Sequence, residues 1–235
     1  MGLGKRKDAG CFLIGSGPSL KETDVTRLAH LDTIAFNRSY IAWKQWRFAP
    51  TLYACLDPVG FEDNALEIRS LIKEYPCTHF FLPDSAGSFG IRSSDQVFLT
   101  KMSPGHVFAT DILALTDFGN VGATSIQILA LFGYCRIAMV GVDARYSPVD
   151  EKAVRADRDG FVFMNDDLNH FCPEYVQGKR LRACPDFGKL LGQWPEVSKE
   201  CASNAREVRN ASPGSALDCF PMSDFLSAID WVLGG

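Results

Sequence analysis

The chain has 235 residues, of which 46% are hydrophobic, 22% charged and 11% aromatic. Such a composition excludes a disordered tail, a collagen-like fibre and a coiled coil, and the length predicts one domain over residues 1–235. Lys plus Arg is 24 against 28 for Asp plus Glu, a net charge of −4, so the basic excess of a nucleic-acid binder is missing.

In chain order, the start Met1-Gly-Leu-Gly-Lys-Arg-Lys-Asp8 is basic but leads into no apolar run of the kind a secretory signal needs. Arg6 breaks the myristoylation pattern, and Lys5-Arg6-Lys7 predicts at most a peripheral contact with an anionic membrane surface. Cys11-Phe-Leu-Ile14 is a strand that stops at the turn Gly15-Ser-Gly-Pro-Ser19, and a helical segment over Leu20–Ala29 follows. Thr33–Phe36 and Thr51–Leu56 are buried strands ending at Asn37 and Asp57. A helix over Phe61–Glu74 and a strand over His79–Leu82 come next. Residues 84 to 118 give one further strand, Gln96–Thr100. Gly122–Phe132 reads as an apolar helix, and Arg136–Val140 as a strand closing on Gly141-Val-Asp143. This rhythm predicts an α/β fold, a Rossmann-like parallel sheet flanked by helices. Residues 144–185 are charged, aromatic and without periodicity, which predicts a lid-like insertion. A helix near Val197–Glu207, a strand near Val208–Ala211 and a helix over Asp224–Leu233 complete the chain.

Eight cysteines stand at 11, 55, 77, 135, 172, 184, 201 and 219 with no CxxC pair, against a zinc ribbon or a thioredoxin-type redox site. They read as free thiols of a cytoplasmic protein, several of them buried in strands. No stretch approaches the roughly 18 uninterrupted apolar residues that cross a bilayer.

Parallel α/β sheets bind ligands at the C-terminal edges of their strands, which selects the candidate residues. Gly15, Ser16, Gly17, Pro18 and Ser19 form a turn whose glycines let a phosphate approach the backbone ahead of a helix, or a plain tight turn. The turn is neither GxGxxG nor a Walker A loop. Asn37 and Asp57 suit a nucleobase edge or a ribose, or else cap the segments that follow them. Within Asp143-Ala-Arg-Tyr146, Arg145 and Tyr146 either stabilise charge on a leaving phosphate or form a surface ion pair and a packed ring. Of the four histidines, at 30, 79, 106 and 170, His170 is the best general-base candidate, because it lies in the loop and imidazole titrates near neutrality. The other reading of His170 is a merely exposed loop residue. Asp157-Arg-Asp159 matches a metal-binding DxD and Asp166-Asp167 is a second acid pair, but the run Arg155–Asp159 reads as a solvated charged face. Neither a Ser-His-Asp order nor a G-x-S-x-G elbow is present, against an α/β-hydrolase.

Taken together, Cys11–Pro18 with Ser19-Leu-Lys21, Phe36-Asn37 and Leu56-Asp57-Pro58 resemble the opening of bacterial CMP-sialic-acid-dependent sialyltransferases, glycosyltransferase family 42. Those enzymes carry a G-N-G-P-S-L-K turn, an Asn after the second strand and an Asn-Pro after the third. Gly122–Asp143 is similar to their A-L-G-Y…G-I-D stretch, and Asn210–Leu217 to their late Pro-Asn-Ser-Leu turn. Asp167-Leu-Asn-His-Phe171, Tyr175 and Gly178-Lys179 resemble related lipopolysaccharide-biosynthesis glycosyltransferase-like proteins. The wider superfamily includes MptE-like 6-hydroxymethylpterin diphosphokinases and motility-associated flagellin glycosyltransferases.

The resemblance implies a glycosyltransferase that takes a nucleotide-sugar donor, a CMP-linked nonulosonate such as sialic acid, and a glycan acceptor. The nucleotide is then expected against Gly15, Ser16, Gly17, Pro18, Ser19, Asn37, Asp57, Gly122 and Asp143, and against the late turn Pro213, Gly214 and Ser215. Arg145 or Tyr146 falls near the leaving-phosphate tyrosine. Ser16 and Asp57 stand where the family has Asn, and Asn120-Val-Gly122 where it has T-S-G. The family's catalytic histidine falls near Glu174 and Tyr175 here, so His170 is expected to take the base role. No metal or cofactor is expected in this version. ATP and Mg²⁺ belong to the diphosphokinase alternative, with Asp57, Asp143 or Asp166 on the metal side, and a non-catalytic nucleotide-binding module is the third reading.

Overall fold

The computed structural model describes residues 9–145, 154–156, 161–164, 168–177, 179, 181–182 and 187–235. Seven parallel pairings build an eight-stranded sheet from β1 (Gly10–Ile14), β2 (Thr33–Phe36), β3 (Leu52–Ala54), β4 (His79–Pro83), β5 (Val97–Pro104), β6 (Ala114–Asp117), β7 (Arg136–Val140) and β11 (Glu207–Asn210). Their spatial order is β11-β7-β1-β2-β3-β4-β5-β6. The chain starts inside the sheet, steps outward through β6, and returns to place β7 on the other side of β1. The direction of winding therefore reverses between β1 and β7, and the crevice beyond their C-terminal ends is where such folds hold ligands.

Both faces of the sheet are covered, which is why its strands are continuous apolar runs. Alternate residues point to opposite sides. Phe12, Ile14, Tyr53, Phe80 and Val140 pack with Trp43 of the short helix α1 (Trp43–Trp46), with α2 (Pro58–Glu74) and with α5 (Phe225–Leu233). Cys11, Leu13, Ile34, Phe81 and Met139 face α3 (Val121–Leu131) and α4 (Phe187–Ser203). Residues Gly122 to Leu129 of α3 are all buried, as expected of a helix without a polar side.

The expected α/β architecture is present, with four local differences. Leu20–Ala29 is not a single helix but two 3-10 turns, Pro18–Glu22 and Val25–Leu28. The β-branched run around Thr23 disfavours α-helix, and the Thr23 hydroxyl donates back to the Ser19 carbonyl at 3.3 Å. β6 carries little hydrophobic signal because only Leu115 of its four residues is buried. α4 starts well before Val197 and runs through Pro195, a residue that normally breaks helices. It ends at Ser203, after which Ala205 takes a left-handed φ of 52° and Arg206 N–H returns to the Cys201 carbonyl at 2.8 Å.

The stretch 144–185 contains regular structure that periodicity did not reveal. β8 (Val154–Ala156), β9 (Phe161–Met164) and β10 (Leu181–Arg182) form a small antiparallel sheet in the order β10-β9-β8. Strands of two to four residues are too short to set a period. Tyr146, Asp157, Asp159, Asp166, Asp167 and Gly178 lie outside the described residues, as do Lys5–Lys7 and Cys184.

Cys11 and Cys55 are buried in or just beyond strands. Burial and the nearby Asp57 carboxylate push the Cys55 thiol up to about 12, which rules it out as a nucleophile near neutrality. No described helix is long and apolar enough to cross a membrane.

Candidate functional site

The sheet reversal opens into a cleft of about 340 Å³. Its floor is the seam between the loops that follow β1 and β7. Gly15 N–H donates to the Val140 carbonyl at 2.7 Å, and Gly17 N–H to the Gly141 carbonyl at 2.8 Å. The approach is closer than any side chain permits. A Cβ on Gly15 would sit 2.2 Å from the Gly141 carbonyl oxygen, and one on Gly17 would sit 1.8 Å from Asp143 Oδ2. Gly141 takes a left-handed φ of 67° at the centre of the seam. The glycines of the opening turn are thus required first by the fold, which brings two loops together backbone to backbone.

Asp143 completes the seam. Its Oδ2 accepts from Ser19 N–H at 3.2 Å, so a carboxylate of the protein stands at the start of the 3-10 turn Pro18–Glu22. Behind Asp143 lies the late turn. Ser215 Oγ donates to the Val142 carbonyl at 2.7 Å, and Val142 N–H donates to Ser212 Oγ at 2.8 Å. Ala216 N–H donates to the Asp143 carbonyl at 2.8 Å. Gly214, with φ of 65°, makes the turn possible.

Of the residues singled out in the sequence, Gly15, Ser16, Gly17, Asn37, Asp57, Gly122, Asp143, Arg145 and His170 come together around this one cleft. Pro18 and Ser19 stand behind the floor, and Gly214 and Ser215 buttress it from below; none of these four lines the cleft. Tyr146 lies outside the described residues.

The walls come from the ends of β2 and β3 and from two helix starts. Asn37 has a left-handed φ of 51°, and its carbonyl accepts from the Tyr53 hydroxyl at 2.6 Å. Asp57 caps α2, its oxygens accepting from Val59 N–H at 3.4 Å and Gly60 N–H at 3.0 Å. The side chain is nevertheless exposed at the cleft rim, so capping and ligand contact are compatible. Asn120 caps α3 by accepting from Ala123 N–H at 2.8 Å. The adjacent Gly122 leaves room for the Trp194 and Phe36 rings, which a Cβ there would meet at 3.3 and 3.4 Å.

Opposite the floor, residues 168–177 and Lys179 are tied down at several points. Phe171 N–H donates to the Ser16 carbonyl at 2.9 Å. The Arg38 guanidinium donates to the Glu174 carbonyl at 2.8 Å and to the Tyr175 carbonyl. Lys179 Nζ reaches the Asp63 carbonyl at 2.6 Å and Glu67 Oε1 at 2.8 Å, both on α2. His170 faces the cleft with its ring stacked on Tyr175 at 4.0 Å between centroids and 14° between planes. Tyr175 is only 4% exposed. Burial pushes its hydroxyl up to about 12 against the opposing hydrogen bonds of the Ser16 and Asn37 side chains, so it stays protonated.

The sequence reading missed Phe36, Arg38, Asn64, Asn120, Lys179 and Trp194 as lining residues. Asn64 carried a usable signal, a polar residue on the face of α2 that also buries Phe61, Ala65, Ile68 and Leu71. It is 5% exposed and bonded at both ends of its amide, donating to the Gly60 carbonyl at 2.6 Å and accepting from the Tyr40 hydroxyl at 2.8 Å. Trp194 carried none, because it lies before the helix expected at Val197. Among the described residues no group of three or more His, Cys, Asp or Glu side chains is placed to hold a metal ion.

No family model and no curated protein sequence matches this chain. Solved structures do. The sialyltransferase CstII from Campylobacter jejuni, determined with the substrate analogue CMP-3FNeuAc, superposes with a TM-score of 0.50 at 14% identity, over 91% of this chain and 85% of that one. The MAf glycosyltransferase from Magnetospirillum magneticum AMB-1 superposes with a TM-score of 0.54, also at 14% identity. It matches 97% of this chain, which spans 37% of that longer protein. The chain therefore shares its fold with sialyltransferase-like glycosyltransferases.

Proposed function

We propose that the protein is a glycosyltransferase that takes a CMP-activated acidic sugar, a nonulosonate such as sialic acid, and transfers it to a glycan hydroxyl. The observation that carries this reading is the cleft at the β1–β7 reversal. Nine residues singled out from the sequence, far apart in the chain, converge on it within a fold shared with two glycosyltransferases. Ser16, Asn37 and Asp57 offer donors and acceptors for the nucleoside, and Arg145 offers a guanidinium to the phosphate.

In the proposed reaction His170 removes the proton of the acceptor hydroxyl as its oxygen attacks the anomeric carbon. The glycosidic bond forms as the bond to the phosphate oxygen breaks, and CMP leaves with the electron pair. Arg145, aided by Tyr146, stabilises the charge that develops there, so that a divalent cation is not required. The diphosphokinase alternative is less well supported, because the two solved structures described above that share this fold are glycosyltransferases.

The test is release of CMP from CMP-N-acetylneuraminic acid and other CMP-linked acidic sugars, followed with EDTA present throughout. Turnover in EDTA is expected for at least one donor. Turnover that appears only when Mg²⁺ is restored contradicts the metal-independent displacement.

A further inference from the structure

The segment that carries His170 is held by a cation from a distant part of the chain. Arg38 follows Asn37 beyond the end of β2 and lines the cleft. Its Nη1 donates to the Glu174 carbonyl at 2.8 Å and to the Tyr175 carbonyl. These carbonyls close the short 3-10 turn Pro173–Tyr175. The last carbonyls of a helical turn have no partner within it, and a cationic side chain at that end supplies one.

Tyr175 carries the consequence to the proposed base. Its ring lies flat on the His170 imidazole, 4.0 Å between centroids and 14° between planes. Phe171 meets the same ring edge-on at 5.7 Å, and its own N–H is fixed to the Ser16 carbonyl at 2.9 Å. His170 therefore stands between a backbone tied to the opening turn and a ring whose carbonyl Arg38 holds. The tie at Lys179 is of another kind. Its partner Glu67, at 2.8 Å, is 44% exposed, so water and salt screen the pair.

We propose that Arg38 is a positioning residue that sets the His170 imidazole by holding the Glu174 and Tyr175 carbonyls. Its effect on turnover rests on the proposed function, but its hold on His170 belongs to the free protein and is measured there. Both bonds leave from one nitrogen. The planar fork of arginine is therefore not needed, and a lysine ammonium, with three donors, can replace it.

The experiment uses the whole chain without ligand. Arg38→Met keeps an aliphatic side chain and removes the donor. The proton NMR signals of His170, identified by their loss in His170→Ala, are expected to move, because the Tyr175 ring no longer lies over the imidazole in the same place. Amide exchange at Phe171 is expected to rise about tenfold or more, as loss of a hydrogen bond from a charged group implies. The signals of His30, His79 and His106 stay in place as evidence of an intact fold. Arg38→Lys is expected to return His170 and Phe171 toward the wild type. Unmoved His170 signals in Arg38→Met, or an Arg38→Lys protein indistinguishable from it, overturn the proposal.

Turnover of the CMP-linked donor provides the second readout. In Arg38→Met, kcat is expected to fall about ten- to a hundredfold, the upper figure being what a misplacement of about 1 Å produces. KM and CMP affinity change by less than about threefold, and Arg38→Lys recovers most of the rate. Glu67→Gln, which removes only the screened tie, is expected to keep kcat within about twofold. Equal losses of kcat and CMP affinity in Arg38→Met would make Arg38 a ligand contact and overturn the positioning role. Absence of both turnover and CMP binding in the wild type would count against the proposed function, while the ligand-free comparison would still decide the hold on His170.

Discussion

His170→Ala is expected to reduce donor turnover by about 10²–10⁴-fold, the usual contribution of a positioned general base, while nucleotide affinity stays nearly unchanged. The separation follows from the geometry. His170 approaches the cleft from the segment tied down opposite the floor, whereas the seam of Gly15, Gly17 and Gly141 and the strand ends at Asn37 and Asp57 keep their own hydrogen bonds without it. Arg38 and Phe171 continue to hold Tyr175 when the imidazole is removed. Steady-state rates combined with CMP titration check both halves of the statement. A variant that retains activity within a few-fold would remove His170 from the mechanism, and one that loses nucleotide binding would make it a binding residue.

Gly15→Ala is expected to have the largest effect on the fold for the smallest change in the chain. The added methyl would stand 2.2 Å from the Gly141 carbonyl oxygen, a backbone atom that cannot swing aside. The loops after β1 and β7 must then separate, straining the 2.7 and 2.8 Å bonds across the seam. Overpacking of this kind costs about 1–3 kcal/mol, and each hydrogen bond lost adds about 1 kcal/mol, so a fall of about 3 kcal/mol is expected in urea unfolding. CMP affinity should fall with it, because the seam is the cleft floor. Gly214→Ala makes the comparison. Its φ of 65° is left-handed, unlike that of Gly15, and nothing lies within 4 Å of the added methyl, so the cost is expected to be about 1 kcal/mol. Equal costs at the two positions would mean that the close approach of the two loops does not set the cost at Gly15.

The parallel sheet was legible because both of its faces are covered. Its inner strands are therefore unbroken apolar runs, and Thr33–Phe36 and Arg136–Val140 have the limits expected of them. Elements were lost where that signal fails. β6 is a sheet edge with one buried residue, and the strands between 154 and 182 are too short to show a period. The first half of α4 lies before the helix expected near Val197 and contains Pro195, a residue that normally breaks helices. In the site, residues next to strand ends were found because the fold class says where to look. Trp194 and Lys179 reach the cleft from elements whose placement depends on tertiary packing, which no local pattern states. Asp143 illustrates a different limit. Its position after β7 was evident, but its bond to Ser19 N–H, 124 residues earlier, is a product of the reversal in strand order.

The most direct measurement is calorimetric titration with CMP and with ATP, each in EDTA and in Mg²⁺. A cleft that serves a CMP-linked donor binds CMP equally well with and without the metal and gains nothing from ATP. Binding of ATP only when Mg²⁺ is present, with no heat from CMP, would contradict the glycosyltransferase reading and place the cleft among phosphate-transfer sites.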